Sequence, residues 1–378
     1  MQRTEYPLLS PSLGSHKMLV AFHFGVKGAR PKVYIQASLH AEELPGMLVA
    51  HHLRERLEAA EQAGHLRGEV ILVPAANPVG LAQRLNHRAM GRFEFDTAQN
   101  FNRHYPDMAA AVVEDALPLM GTDARANVET VRRLVGQWLT QWQPATELES
   151  LRRQLLLLSH DADLVLDLHC DTDAVMHLYS EEACWPPFEP LARLLGCRAV
   201  LLARESGGGP FDERLSGLWW QLAAALKDAG VNAPLPQACA STTVELRGEA
   251  DVSHGLARQD AQAIEAYLAH VGALGGATST TLPPMACEPT PLAGSQTLRS
   301  PVPGVLVFLA RPGDSVSVGD VVAEVIDPTA APARVHAVRA EVAGVLYAAV
   351  RERYLVAGGE VGKIAGATPF RSGDLLGA

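Results

Sequence analysis

Short apolar runs alternate along this chain with longer stretches whose apolar residues recur every three or four positions. Residues 32–39, KVYIQASL, are almost without a polar face, as a strand buried on both sides requires. The run ends at His40, and PGMLVAHHLRERLEAA behind it has the spacing of a helix. Residues 68–75, GEVILVPA, predict a second strand, closed by Asn77-Pro78. Residues 162–168, ADLVLDL, predict a third, ending at His169. CRAVLLA at 197–203 and STTVEL at 241–246 predict two more, and helical spacing covers 125–158, 188–195, 215–229 and 257–272. Strands alternating with helices predict an α/β fold with a mostly parallel or mixed central sheet and helices on both faces. In such sheets, sites gather beyond the carboxyl ends of strands. His40, His169 and Glu245 all stand at or near such ends.

The pattern changes at residues 273–298, a Gly-, Thr- and Pro-rich stretch without helical periodicity that reads as a linker. Short strands and Gly turns follow. The expected division is therefore an α/β domain over 1–272, the linker over 273–298 and a small all-β domain over 299–378. The last part contains a repeat: Gly304-Val305-Leu306 recurs at Gly344-Val345-Leu346, and Gly319-Asp320-Val321 is echoed by Gly359-Glu360-Val361. Two equivalent halves that bury each other's apolar faces make a compact β-sandwich. The halves resemble those of biotinyl/lipoyl-type barrel-sandwich domains. Carrier domains of that kind need a lysine on the hairpin between the halves. Lys363, near the end, is the only lysine beyond residue 290, so a structural or gating role is expected instead.

Composition narrows the function. Lys+Arg 32 against Asp+Glu 42 gives 32 − 42 = −10 over 378 residues, which disfavours nucleic acid and anionic membrane surfaces as partners. No apolar stretch reaches the length of a membrane span, and the N-terminus lacks the apolar core of a signal peptide. The five cysteines are odd in number and form no CxxC pair, so reduced thiols and a cytoplasmic address are the default expectation.

Four clusters carry candidate chemistry. His40 and Glu43, three apart on a turn entering a helix, can face one point, and imidazole with carboxylate suits zinc. Alone, the pair could equally be a surface His and Glu at a helix start. His169 ends an apolar strand and could be a third ligand, with Asp167 or Asp171 orienting its other ring nitrogen. Two His and one Glu leave a position open for water, as catalytic zinc requires. Asn102 and Arg103, with Arg92 upstream, can hold a carboxylate and polarise a carbonyl, although each could also be an ordinary surface group. Glu245, at the end of an apolar strand, is a carboxylate that is costly to bury without a task and could act as a general base; the bland alternative pairs it with Arg247 or another arginine. Glu249 competes for the same role. The His51-His52 pair reads as solvated or core-facing rather than as a second metal site, Gly207-Gly208-Gly209 as a flexible loop, and Cys170 as pointing away from His169 along the strand.

In this order the residues resemble the succinylglutamate desuccinylase/aspartoacylase family, a branch of the zinc-carboxypeptidase-like fold. NPVGLAQR and QNFNRHYP strengthen the likeness, which covers roughly residues 30–270 and extends to the β appendage. The resemblance implies one Zn2+ per chain held by His40, Glu43 and His169, with Glu245 as general base. It implies Asn102 and Arg103 as the pair that binds the substrate carboxylate, and Arg92 as the carbonyl-polarising arginine, with Arg88 or Arg84 as substitutes. Residues 108–158 look like an insertion. Tyr347 and Tyr354 are the candidates for an appendage tyrosine that contacts substrate. The implied activity is zinc-dependent hydrolysis of a carbon–nitrogen bond other than a peptide bond, in a small acylated amino acid or amine. A homo-oligomer is compatible with this reading. The alternatives are a zinc carboxypeptidase acting on peptides and a metal-free binding protein with a degenerate site.

Overall fold

The computed structural model describes residues 1–276 and 281–376. Part of the predicted linker, 277–280, and the last two residues of the predicted β domain lie outside the described residues. β1 (Gln2–Pro7) and β2 (Met18–Phe24) form an antiparallel ribbon. β3 (Lys32–Ala37) leads through a tight turn into α1 (Pro45–Gln62). β4 (Glu69–Val73) runs into the single turn α2 (Pro78–Leu81), followed by an exposed ribbon of β5 (Arg84–Leu85) and β6 (Arg88–Ala89). Three helices come next: α3 (Met108–Ala116), α4 (Ala124–Gln141) and α5 (Glu147–Ser159). Then β7 (Leu164–Asp171), β8 (Asp173–Ala174) and β9 (His177–Glu181) precede α6 (Trp185–Leu195) and β10 (Ala199–Ala203). α7 (Phe211–Asp228), β11 (Ala240–Gly248), α8 (His254–His270) and β12 (Thr290–Pro291) complete the series.

Nine of these strands make one sheet, in the order β1-β2-β4-β3-β7-β11-β9-β10-β12. Its centre, β4-β3-β7-β11, is parallel, while β9 runs antiparallel to β11 and β1-β2 is an antiparallel edge. The sheet is mixed, as expected. Burial on two sides explains the unbroken apolar runs. On β3, Tyr34 packs into a core with α3, α4, α5 and α7, whereas Val33 and Ile35 pack into the opposite core with α1, α6 and α8. Fully burying a side chain of this size contributes roughly 1.5–3 kcal/mol.

The helix expected across 125–158 is two helices. The chain breaks at Trp142, Pro144 lies in the connection, and Thr146 restarts the next helix by accepting the Glu149 N–H at 3.1 Å.

The C-terminal strands are β13 (Ser295–Arg299), β14 (Gly304–Phe308), β15 (Ser315–Val316), β16 (Val321–Asp327), β17 (Arg334–Arg339), β18 (Gly344–Ala349), β19 (Tyr354–Leu355) and β20 (Glu360–Gly366). They form two facing sheets, β13-β20-β18-β15 and β17-β16-β14-β19. The repeat is visible in β14 with β18 and in β16 with β20. Each half lends its short strand to the other: β15 pairs with β18, and β19 pairs with β14. Leu306, Val325, Leu346 and Ile364 fill the space between the sheets.

This β unit docks on the chain that leaves β7. β8 pairs with β18, the Thr172 hydroxyl donates to the Ala349 carbonyl at 2.8 Å, and the Lys363 ammonium donates to Asp171 at 2.7 Å. Replacing Lys363 by Met leaves the mostly buried Asp171 without its cation. The expected loss is roughly 3 kcal/mol of stability, read by urea unfolding. Adding Asp171→Asn is expected to recover much of it; independent, additive losses would exclude the pairing as the cause.

Candidate active site

The turn between β3 and α1 brings His40 and Glu43 together. Ser38 adopts a left-handed backbone, φ 58°, and its hydroxyl donates to the Glu43 carbonyl at 2.7 Å. Gly91 lies against the turn: its N–H donates to Glu42 at 2.7 Å, and its carbonyl accepts from the Ala41 N–H at 3.0 Å. A Cβ on Gly91 would stand 2.6 Å from the Glu42 nitrogen, so only glycine fits there without a shift.

Glu43 reaches His169 at the end of β7, one oxygen to each ring. Its Oε1 is 2.9 Å from His40 Nδ1 and its Oε2 is 2.7 Å from His169 Nδ1. All three residues are buried. The second nitrogen of each ring decides the tautomer. His40 Nε2 is 2.8 Å from Asn100 Oδ1, which also accepts the Asn102 N–H at 2.8 Å. A carboxamide oxygen cannot donate, so His40 Nε2 carries the proton and Nδ1 a lone pair. The Arg92 guanidinium, which can only donate, lies 3.3 Å from that Nδ1. His169 Nε2 lies 3.1 Å from Asp167 Oδ2, so a proton on Nε2 is favoured there too. Of the two carboxylates proposed to orient His169, Asp167 is the one in place, and Asp171 turns instead to Lys363.

With an ion between them, each ring would turn an Nδ1 lone pair on it beside the two carboxylate oxygens; without one, a proton held between His169 Nδ1 and Glu43 Oε2 supplies the positive charge. Burial, followed by Arg92, lowers the His40 pKa to about 4. Burial also opposes charge on His169, yet Asp167 and Glu43 outweigh it and hold that imidazole well above its ordinary range. Glu43 is held well below the usual carboxylate range by both histidines, against its burial. The ligand atoms of His40, Glu43 and His169 all lie within 4.8 Å of one another, and two nitrogens with one carboxylate suit zinc.

Glu245 lies beside His169, its partner across the β7–β11 register. Arg247, with φ 66°, marks a register shift just beyond it and pairs with Asp260 rather than Glu245. Glu245 Oε2 is buried and, among the described residues, has no hydrogen-bond partner. Burial, then Glu43, pushes its pKa up to about 8, with Asp171 adding and His169 and Lys363 opposing. Glu249 sits further out, half-buried, facing Arg351 at 3.4 Å.

Arg92 also donates to Glu43 at 3.2 Å, whereas Arg84 and Arg88 lie exposed on the β5–β6 ribbon. Asn102 accepts the Phe211 N–H on Oδ1 at 2.9 Å and brings its Nδ2 to 3.5 Å from His169 Nε2. Arg103 is buried, donates to the Asn102 carbonyl at 2.7 Å and packs against Gly208. The 207–209 loop props this segment: its carbonyls accept from the N–H groups of His104 and Tyr105. From the 108–158 segment, Arg152 donates to Gln99 and to the Asn100 carbonyl at 3.0 and 3.3 Å. The Cys170 thiol is buried, and burial followed by Glu43 pushes its pKa up, the reverse of what a nucleophile needs.

Three contributors escape sequence reasoning. Asn100, two residues before Asn102, orients His40. His177, opposite Glu245 on β9, is buried with its Nε2 unpartnered among the described residues. Lys363 comes from the β unit. The repeat offered a signal for Lys363 alone, because forty residues earlier the equivalent position is Ala323. Tyr347 is buried against the His177 ring and bonds Ser295 at 3.0 Å, whereas Tyr354 is exposed.

A profile of the succinylglutamate desuccinylase/aspartoacylase catalytic domain matches residues 29–271. Among solved structures, a succinylglutamate desuccinylase/aspartoacylase family protein from Shewanella amazonensis SB2B is 26% identical, with a TM-score of 0.81 over 97% of this chain and 98% of its own. A succinylglutamate desuccinylase/aspartoacylase from Shewanella frigidimarina NCIMB 400 is 23% identical, with a TM-score of 0.81 over 97% of each chain. The product-bound ectoine utilization protein EutE (DoeB) of Ruegeria pomeroyi shares the fold at 17% identity, with a TM-score of 0.65 over 97% of this chain and 95% of its own. No protein with a curated description matches. The profile spans well over half of the chain, and the chain belongs to the succinylglutamate desuccinylase/aspartoacylase family, whose members remove acyl groups from acylated amino acids.

Proposed function

We propose that the protein is a zinc-dependent hydrolase cleaving the amide bond of an N-acyl amino acid or a related small acylated amine. The observation that carries this reading is the convergence of His40 Nδ1 and His169 Nδ1 on the two oxygens of one buried carboxylate, Glu43. His40, Glu43 and His169 would hold the ion, with a position left for solvent or substrate. Zinc bound there would supply Lewis acidity, polarising the carbonyl and acidifying water. Glu245 takes the proton of the attacking water and returns it to the departing nitrogen. Arg92, already beside His40, donates to the oxygen on which negative charge develops. Asn102 and Arg103 bind the substrate carboxylate and set its register. The proposal assigns the chemistry to residues 1–272 and a supporting role to the β unit. It places the protein in the cytoplasm, where its five unbridged cysteines would stay reduced. Among the described residues no helix is long and apolar enough to cross a membrane.

Glu245→Gln is expected to retain zinc and lose nearly all hydrolysis, seen by metal analysis beside an acyl-amino-acid screen. Full activity in that variant would remove Glu245 from the mechanism. Short peptides in the same screen separate this reading from a carboxypeptidase, which would favour them.

Asn100→Ala releases His40 Nε2 and is expected to weaken zinc binding by roughly 10–100-fold in a chelator competition. Unchanged affinity would show that Asn100 does not orient the ligand.

A further inference from the structure

A second carboxylate in this fold also faces two imidazoles, one oxygen to each. On α1, Glu55 Oε1 is 3.5 Å from His51 Nε2 and Glu55 Oε2 is 3.4 Å from His52 Nδ1. The helix dictates the grouping, because Glu55 lies four residues beyond His51 and three beyond His52. We infer that His51, His52 and Glu55 form a second site, for a divalent transition-metal ion of the zinc class, separate from the proposed catalytic centre.

Four observations carry this. The ligand atoms of the three residues lie within 4.8 Å of one another. Their spacing suits an ion: donor atoms about 2.0–2.2 Å from a tetrahedral zinc stand roughly 3.3–3.6 Å apart. His52 is held from behind. Its ring is buried, with 7% of the side chain exposed, and its Nε2 lies 3.0 Å from Nδ1 of His254, the first residue of α8. With the proton of that contact on His52 Nε2, the Nδ1 lone pair is directed at the site, which is how an outer partner orients a metal-ligating histidine. Finally, the front is open. His51 and Glu55 are 45% and 57% exposed, and among the described residues Glu55 has no ion pair with a lysine or arginine. The nearby arginines are engaged elsewhere, Arg54 with Glu58 and Arg56 with Glu265. An ion can therefore enter from solvent without displacing a cation. The pair that the sequence presents as ordinary solvated or core-facing histidines becomes a chelate because α8 supplies its backing.

Equilibrium dialysis of the whole chain against zinc chloride, followed by metal analysis, tests the site. Wild type is expected to take up about two equivalents per chain, and His51→Ala/Glu55→Ala about one. Both substituted residues are exposed, so the variant is expected to keep its fold, with circular dichroism as the check. His254→Ala is expected to weaken the second equivalent by roughly 10–100-fold. The same single equivalent in wild type and in the double variant would overturn the second site and leave the catalytic one standing. A single equivalent that disappears in the double variant would keep the second site and remove zinc from His40, Glu43 and His169.

Discussion

One buried carboxylate shared by two imidazoles organises this molecule. Glu43 cannot be left charged in the interior without compensation, because desolvation of an ion costs several kcal/mol. Its oxygens are met by His40 and His169, by the Cys170 N–H at 3.1 Å and by Arg92. Each of those groups is held in turn. Asn100 fixes His40 and is itself braced by Arg152, which approaches from the helices on one face of the sheet. Asp167 faces His169 and accepts from Gln36 of the adjacent strand at 3.0 Å. The left-handed Ser38 and the close approach of Gly91 are local strain that this network maintains.

The β unit adds to the same region from outside the nine-stranded sheet. Lys363 places a positive charge on Asp171, two residues beyond His169 and on the same side of β7. Without it, Asp167, Asp171, Glu43 and Glu245 would crowd the strand ends with negative charge. The internal symmetry of the unit breaks at this point. The equivalent of Lys363 in the first half is Ala323, buried in the β core, so one copy of the repeat packs inward while the other reaches across.

Much of this was legible in the sequence, for identifiable reasons. β3, β4, β7 and β11 are parallel strands buried on both sides, so they appear as continuous apolar runs, and the metal-type residues sit where those runs stop. β1 escaped because it is the sheet edge, where QRTEYP mixes exposed and half-buried positions. β9, HLYSE, is wholly buried yet polar, since its side chains find partners such as Val175 and Trp220 that no local pattern announces. The break between α4 and α5 was signalled by Pro144 and hidden by apolar spacing that continues on either side. The tautomers of His40 and His169 and the role of Lys363 depend on residues 60, 2 and 192 positions away, and no spacing rule covers all three.

The exchange of short strands inside the β unit makes each half depend on the other. β15 finds its partner in the second half and β19 in the first, so neither half closes its own sheet. A lone copy of the forty-residue segment would leave an open edge shaped to receive the same strand from an identical neighbour. The exchange has the two-fold relation that two identical separate chains would adopt, here held within one chain. Within one chain the two copies need not be identical, and the second is the one that carries a lysine against the central sheet.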